Sequence, residues 1–249
     1  MPPANHHHRF YRNLVHRPDL VNFRVAVKET DLFIQANQYL EHLATDLVLQ
    51  HRGNIEAYLK DHPAFGKTLY PWRLSGPAPR IIQDMAHAGE LAGVGPMASV
   101  AGAISEYVGR DLLLHTDQIV VENGGDVFIK SDRPCTVGIY AGSSALSLRI
   151  GVQIDGGEKP ISVCTSSGKF GHSLSLGTAD AVCVVSGSCP LADAAATATA
   201  NRIHSKSDIR GAIAFGKAIK GVVGLVVIMD DEIGIWGELE VVPLALKKG

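Results

Sequence analysis

QIVVENGGDVFIK, residues 118–130, is the stretch on which the reading of the fold turns. Two apolar runs, Gln118–Glu122 and Val127–Lys130, flank Asn123-Gly124-Gly125-Asp126, and Asn-Gly between such runs signals a tight hairpin. Upstream the pattern is a hairpin of Val21–Val27 with Leu32–Gln35, then helices at about 36–50 and 55–60. After a Pro- and Gly-rich irregular loop, Leu69–Pro79, helices return at Ile81–Ala92 and Ala98–Leu114. Downstream, strands are expected at 136–140, 146–154, 161–165 and 181–185, then helices at 190–204 and 209–219. Two closing strands are expected at 222–229 and 233–242. Helices and strands alternate without a βαβ rhythm, so the fold class is α+β, with mixed or antiparallel sheets and packed helices. No repeat or low-complexity linker divides the chain, and residues 1–249 read as one domain.

Composition narrows the function. The chain has 249 residues, 46% hydrophobic and 19% charged, with a net charge of −2. This is ordinary for a globular protein and gives no electrostatic reason to expect nucleic acid as a partner. The longest apolar stretch, 221–229, falls short of the ~20 residues that span a bilayer, so no membrane partner is expected. The polar, His-rich residues 1–12 lack an apolar targeting core and read as a flexible tail, consistent with a cytoplasmic protein. Cys135, Cys164, Cys183 and Cys189 show no C-x-x-C spacing and read as reduced, mostly buried thiols.

Three polar motifs interrupt the apolar pattern. In VENGGD (121–126), Glu122 and Asp126 bring two acids to one turn, and a bare turn does not need both. In CTSSGKFGHS (164–173), Thr165, Ser166, Ser167 and Gly168 follow a strand, and small residues with open N–H groups suit a pyrophosphate. A plain turn and a plain polar loop are the competing readings. In LADAAATATAN (191–201), Asp193 and Thr197 are four residues apart on one helix face, a spacing that suits Mg²⁺. Alone, that motif is better read as an acid complementing its helix N-terminus among packing alanines.

Taken in order, these motifs resemble the ApbE-type FAD:protein FMN transferases, in which an N-x-G-G-D hairpin precedes an A-T-S-G loop, a histidine segment and an A-D-x-x-x-T-A helix. MASVAGAISEYVG (97–109) is similar to that family's small-residue helix start. More closely, ETDL (29–32), VGPMASVAGAI (94–104), VENGGD, CTSSG, GHSLS and LADAAAT identify the chain as a member of an uncharacterised prokaryotic family within that superfamily. The resemblance implies Mg²⁺ as cofactor and FAD as substrate or ligand. It implies metal ligation by Asp193, Thr197 and a backbone carbonyl near Ser99. It also implies nucleotide contacts from Asn123, Gly124, Gly125, Asp126, Thr165, Ser166, Ser167 and Gly168. His172 becomes the acid/base, and an acceptor protein a partner beside the small-molecule nucleotide. Departures are also visible. The transferases' H-I-I-D-P becomes His172-Ser173-Leu174-Ser175, without the acid, and their N-terminal F-D-P-T segment and lipoprotein signal are missing. A non-catalytic flavin-nucleotide-binding protein of the same fold is therefore the alternative.

Overall fold

The computed structural model describes residues 15, 17–168 and 176–244. Its first elements are β1 (Val21–Val27), β2 (Thr30–Ala36), α1 (Glu41–Asp61) and α2 (Arg80–Ala92). A short 3₁₀ turn, Pro96–Ser99, leads into α3 (Val100–Leu112). Five strands follow: β3 (Ile119–Asn123), β4 (Asp126–Lys130), β5 (Cys135–Gly138), β6 (Ile150–Ile154) and β7 (Ile161–Ser166). The chain continues with β8 (Ala181–Ser186), α4 (Cys189–Ala200), α5 (Ile209–Ala218), β9 (Val222–Met229), β10 (Glu232–Gly237) and β11 (Glu240–Pro243).

Among the described residues the strands form two antiparallel sheets, one of eight strands in the order β1-β2-β3-β4-β7-β8-β9-β10 and one of three, β11-β6-β5. The large sheet is the middle of three layers. Val121, Phe128, Cys164, Val182, Val184, Leu225 and Val227 point to the helices. Their neighbours Val120, Val127, Ile129, Val163, Cys183, Val185 and Val226 point to the small sheet and pack with Val137, Val152 and Ile154. Covering both faces explains why β8 and β9 read as unbroken apolar runs rather than alternating ones: neither face needs polar side chains. Each side chain so buried contributes roughly 1.5–3 kcal/mol of transfer free energy.

The α+β class and antiparallel sheets are as the sequence predicts, while several boundaries differ. The two helices expected at 36–50 and 55–60 are one, α1. Its buried seam runs Ala44, Val48, His51, Ile55, Tyr58, and the apparent break lies where the seam residue is a histidine. His51 Nε2 bonds Asp111 Oδ2 at 2.7 Å, so a polar ring occupies a core position with its partner supplied by α3. The strand expected at 233–242 is two strands in different sheets, parted at Gly237, whose φ of 102° only glycine adopts readily. All four cysteines are free and buried, and among the described residues no helix is long and apolar enough to cross a membrane.

Candidate functional site

The site grows from the crossing of α3 and α4. A Cβ on Gly102 would lie 2.5 Å from the Cys189 carbonyl oxygen and 2.9 Å from Asp193 Cβ, so only glycine lets the helices approach this closely. At that distance each helix caps the other. The Gly102 N–H donates to Asp193 Oδ2 at 2.9 Å, and the Cys189 N–H donates to Glu106 Oε2 at 2.6 Å. Both acids thereby meet the partial positive charge and unsatisfied amides of a neighbouring helix start. Glu106 is further held by Arg110 at 2.5 Å, one turn along α3; burial nevertheless pushes its carboxyl above the usual range.

The β3–β4 turn packs onto the same place. Gly124 and Gly125 take φ of 70° and 117°, and the Gly125 N–H donates to Glu122 Oε1 at 3.1 Å. Asn123 Nδ2 donates to the Ala101 carbonyl at 3.1 Å, and Ser105 Oγ donates to that carbonyl and to the Asp126 carbonyl. The turn is thus stitched to the first turn of α3, which brings the Asp126 side chain beside Asp193. Burial, then the charge of Asp193, drives the Asp126 carboxyl well above its ordinary range, against a hydrogen bond with Cys164. Burial also lifts Asp193 to about 7, opposed by the Gly102 and Ala101 amides. Among the described residues no Lys or Arg forms an ion pair with either acid. Two buried carboxylates without a basic partner hold either a proton or a cation.

The loop after β7 meets the far end of α4. The Thr165 N–H donates to the Gly125 carbonyl at 3.2 Å, joining loop to turn, and the Gly168 N–H donates to the Ala179 carbonyl at 2.9 Å. The Leu176 N–H donates to Asn201 Oδ1 at 2.7 Å, fixing the loop's return. Asp193, Thr197 and Asn201 follow at i, i+4 and i+8, so one face of α4 runs from the acid pair to the loop.

A family model described as AbpE bacteria matches residues 12–233. The chain belongs to that family. It is 37% identical over 227 residues to a UPF0280 protein of Methanococcus aeolicus, covering 88% of this chain and 91% of that one. Among solved structures it resembles a point mutant of the flavin transferase ApbE from Vibrio cholerae, with a TM-score of 0.56, 12% identity and coverage of 87% and 96%. It also resembles the apo flavinyl transferase ApbE of Pseudomonas stutzeri, with a TM-score of 0.56, 14% identity and coverage of 87% and 93%. At such identities the likeness shows the fold.

Within this AbpE-type fold the expected residues divide. Asn123, Gly124, Gly125, Asp126 and Asp193 converge on the start of α3. Thr165 adjoins them through Gly125, and Thr197 is buried one turn beyond Asp193. Ser99 Oγ is buried and turned into its own 3₁₀ turn, donating to the Pro96 carbonyl at 2.7 Å. Ser166 and Ser167 lie at the exit of β7, where Ser166 Oγ is buried without a hydrogen-bond partner among the described residues. A Cβ on Gly168 would collide with the Gly177 backbone, so that glycine answers to chain packing whatever else it does. His172 lies outside the described residues. Among the described residues no three His, Cys, Asp or Glu side chains gather as a metal site. Two features escaped the sequence reading. Glu106 was detectable only as an acid four residues before Arg110 in a small-residue helix. The Cys164 and Cys189 sulfurs, 3.6 Å apart beside the acids, come from distant segments.

Proposed function

We propose that this protein binds a flavin dinucleotide together with Mg²⁺ and cleaves its pyrophosphate, passing FMN to a protein hydroxyl or to water. The observation that carries the reading is the Asp126–Asp193 pair, buried, with Asp193 facing the amides of α3 and neither acid ion-paired to a base among the described residues, a donor set of hard oxygens that fits a hard divalent cation. Flavin transferases among the solved structures of the same fold support it. Asp193 and Thr197, with a carbonyl from the Ser99 turn, would hold the metal. A bound Mg²⁺ would neutralise charge on the pyrophosphate. The turn at Asn123–Asp126 and the loop at Thr165–Gly168 would position the phosphates, the loop through its amides. In the reaction, a hydroxyl or water oxygen bonds to the FMN phosphorus, the bridging P–O bond breaks, and AMP leaves with that oxygen. His172 would accept the proton of the attacking group.

A second reading, a flavin-nucleotide binder without turnover, is favoured by Ser175, which stands where the transferases carry their acid. Mass spectrometry of the purified protein incubated with FAD and Mg²⁺ separates the two. FMN and AMP are expected. Binding without either product selects the binder, and the absence of any binding removes both readings.

A further inference from the structure

Among the described residues the large sheet ends on β1 at one side and on β10 at the other. The two edges are defended differently. β1, VNFRVAV, places Arg24 in its middle, paired with Asp31, and a charge in mid-strand discourages edge-to-edge pairing. β10, EIGIWG, has no Lys, Arg or Pro and leaves Ile233 and Ile235 41% and 48% exposed. A groove of about 430 Å³ runs beside it, lined in part by Arg210, Ile213, Glu232 and Ile235.

The β9–β10 register determines what the open edge can accept. Glu232 pairs with Met229 across a two-residue turn and Trp236 with Leu225. Residues 232, 234 and 236 therefore direct their N–H and C=O groups to β9, leaving those of Ile233 and Ile235 outward. The same alternation puts Glu232, Gly234 and Trp236 on the helix face, where a Cβ on Gly234 would meet Ile209 and Ile213 of α5.

We propose that β10 pairs antiparallel with β10 of a second copy of this chain, about a two-fold axis perpendicular to the sheet at Gly234. A perpendicular two-fold keeps both copies' helix faces on one side, so residues of like face must oppose. Centred on Gly234, Ile233 opposes Ile235 twice, and the outward backbone groups of both pairs form the ladder's hydrogen bonds. On the other face Glu232 opposes Trp236 of the second copy. In each chain Lys217 Nζ sits 5.6 Å over the Trp236 ring, so every acid meets a base across the axis. Gly234 meets Gly234, the closest approach requiring no side chain. Apolar, charged and small positions all match themselves in this one register, and the product is a continuous sheet of sixteen strands, twice eight.

Light scattering after size-exclusion chromatography tests it at about 10 μM, where an interface of micromolar Kd is largely assembled. The wild-type chain should weigh twice 26.5 kDa. Ile235→Lys should reduce the mass to one chain with its thermal melt unchanged, while Val21→Lys on the β1 edge should leave the dimer intact. Glu232→Lys and Lys217→Glu should each weaken the dimer, and the double variant should restore it. A monomeric wild type overturns the proposal, as does a dimer that survives Ile235→Lys or is lost in Val21→Lys. Failure of the double variant to restore assembly overturns the Gly234-centred register.

Discussion

The two faces of the eight-stranded sheet are built from alternate residues of the same strands, and each buries an acid beside the β3–β4 turn, Glu122 toward the small sheet and Asp126 toward the helices, but only the helix face sets a second acid against the first. Toward the small sheet, Val120, Val127, Ile129, Val163, Val185 and Val226 make an aliphatic layer, with Cys183 its soft exception and Glu122 at its end, where Oε1 accepts the Gly125 N–H. Toward the helices, Phe128 and Cys164 share their face with Asp126, and Asp193 and Glu106 descend onto it from α4 and α3. Burying an ionised carboxylate without a basic partner is far costlier than burying a valine. The helix face therefore carries a paired burden, Asp126 beside Asp193, that the small-sheet face with its single turn-bound acid does not. Under the proposed function the Asp126–Asp193 pair answers to a bound cation.

The largest break between the faces is expected at their tightest contact. Gly102→Val would drive a branched side chain into the Cys189 carbonyl and Asp193 Cβ, backbone and near-backbone atoms that cannot swing aside. Overpacking of this kind costs about 3 kcal/mol, and here both reciprocal caps are lost with it. Thermal melts should show a large loss, with Mg²⁺-dependent flavin binding abolished. A variant that melts like wild type would mean that the helices are free to part and that the acid pair is not held.

Next in size is a gain. In the metal-free protein, the unfolded chain releases the Asp193 proton near 3.8, whereas the folded chain holds it to about 7. Between those values the native state binds more protons, so stability is greatest below the lower one and falls as pH rises to the upper. Asp126, raised in the same direction, steepens the decline. Asp193→Asn retains an acceptor for the Gly102 N–H and removes the charge. It should flatten the decline and stabilise the metal-free protein at pH 8 by about 1–2 kcal/mol, part of the shift being offset by weaker bonds to the amides. The same variant should lose the stabilisation that Mg²⁺ confers. Denaturant titrations at pH 4, 6 and 8 check it, and a steeper decline in Asp193→Asn would reverse the electrostatic account.

The small-sheet face supplies the control. Ile129→Val deletes one buried methylene from an aliphatic layer and should cost about 1 kcal/mol. Its pH profile and its response to Mg²⁺ should match wild type. A change in either would mean that the two faces are coupled through β4, and the contrast between them would fail.

How much of this was legible follows the range of the contacts involved. The NGGD turn and the A-D-x-x-x-T helix are local patterns, in which glycines with positive φ and an i, i+4 pair declare themselves within a few residues. The reciprocal caps were not legible, because Glu106 and Cys189 are 83 residues apart and Gly102 and Asp193 are 91 apart. Alone, Asp193 read as an acid serving its own helix, whereas it serves the next one. The split at Gly237 was hidden because β10 and β11 are both apolar and only the change of sheet separates them. His51 hid the continuity of α1 by being polar in a core position.

The smallest effect tests the same residue type under opposite demands. Gly53 lies within α1, where a Cβ would meet nothing within 4 Å. Its helical backbone suits alanine, which has the better helix propensity and restricts the unfolded chain. Gly53→Ala should therefore stabilise the protein by about 0.5–1 kcal/mol. Gly102 also lies in a helix, and its replacement is expected to do the reverse, because there the missing Cβ is what lets α3 and α4 exchange caps. If both substitutions were stabilising, Gly102 would be no more than a weak helix former, and the close approach that seats Asp193 on α3 would not constrain the fold. Opposite signs in the two melts would locate the constraint at the acid pair.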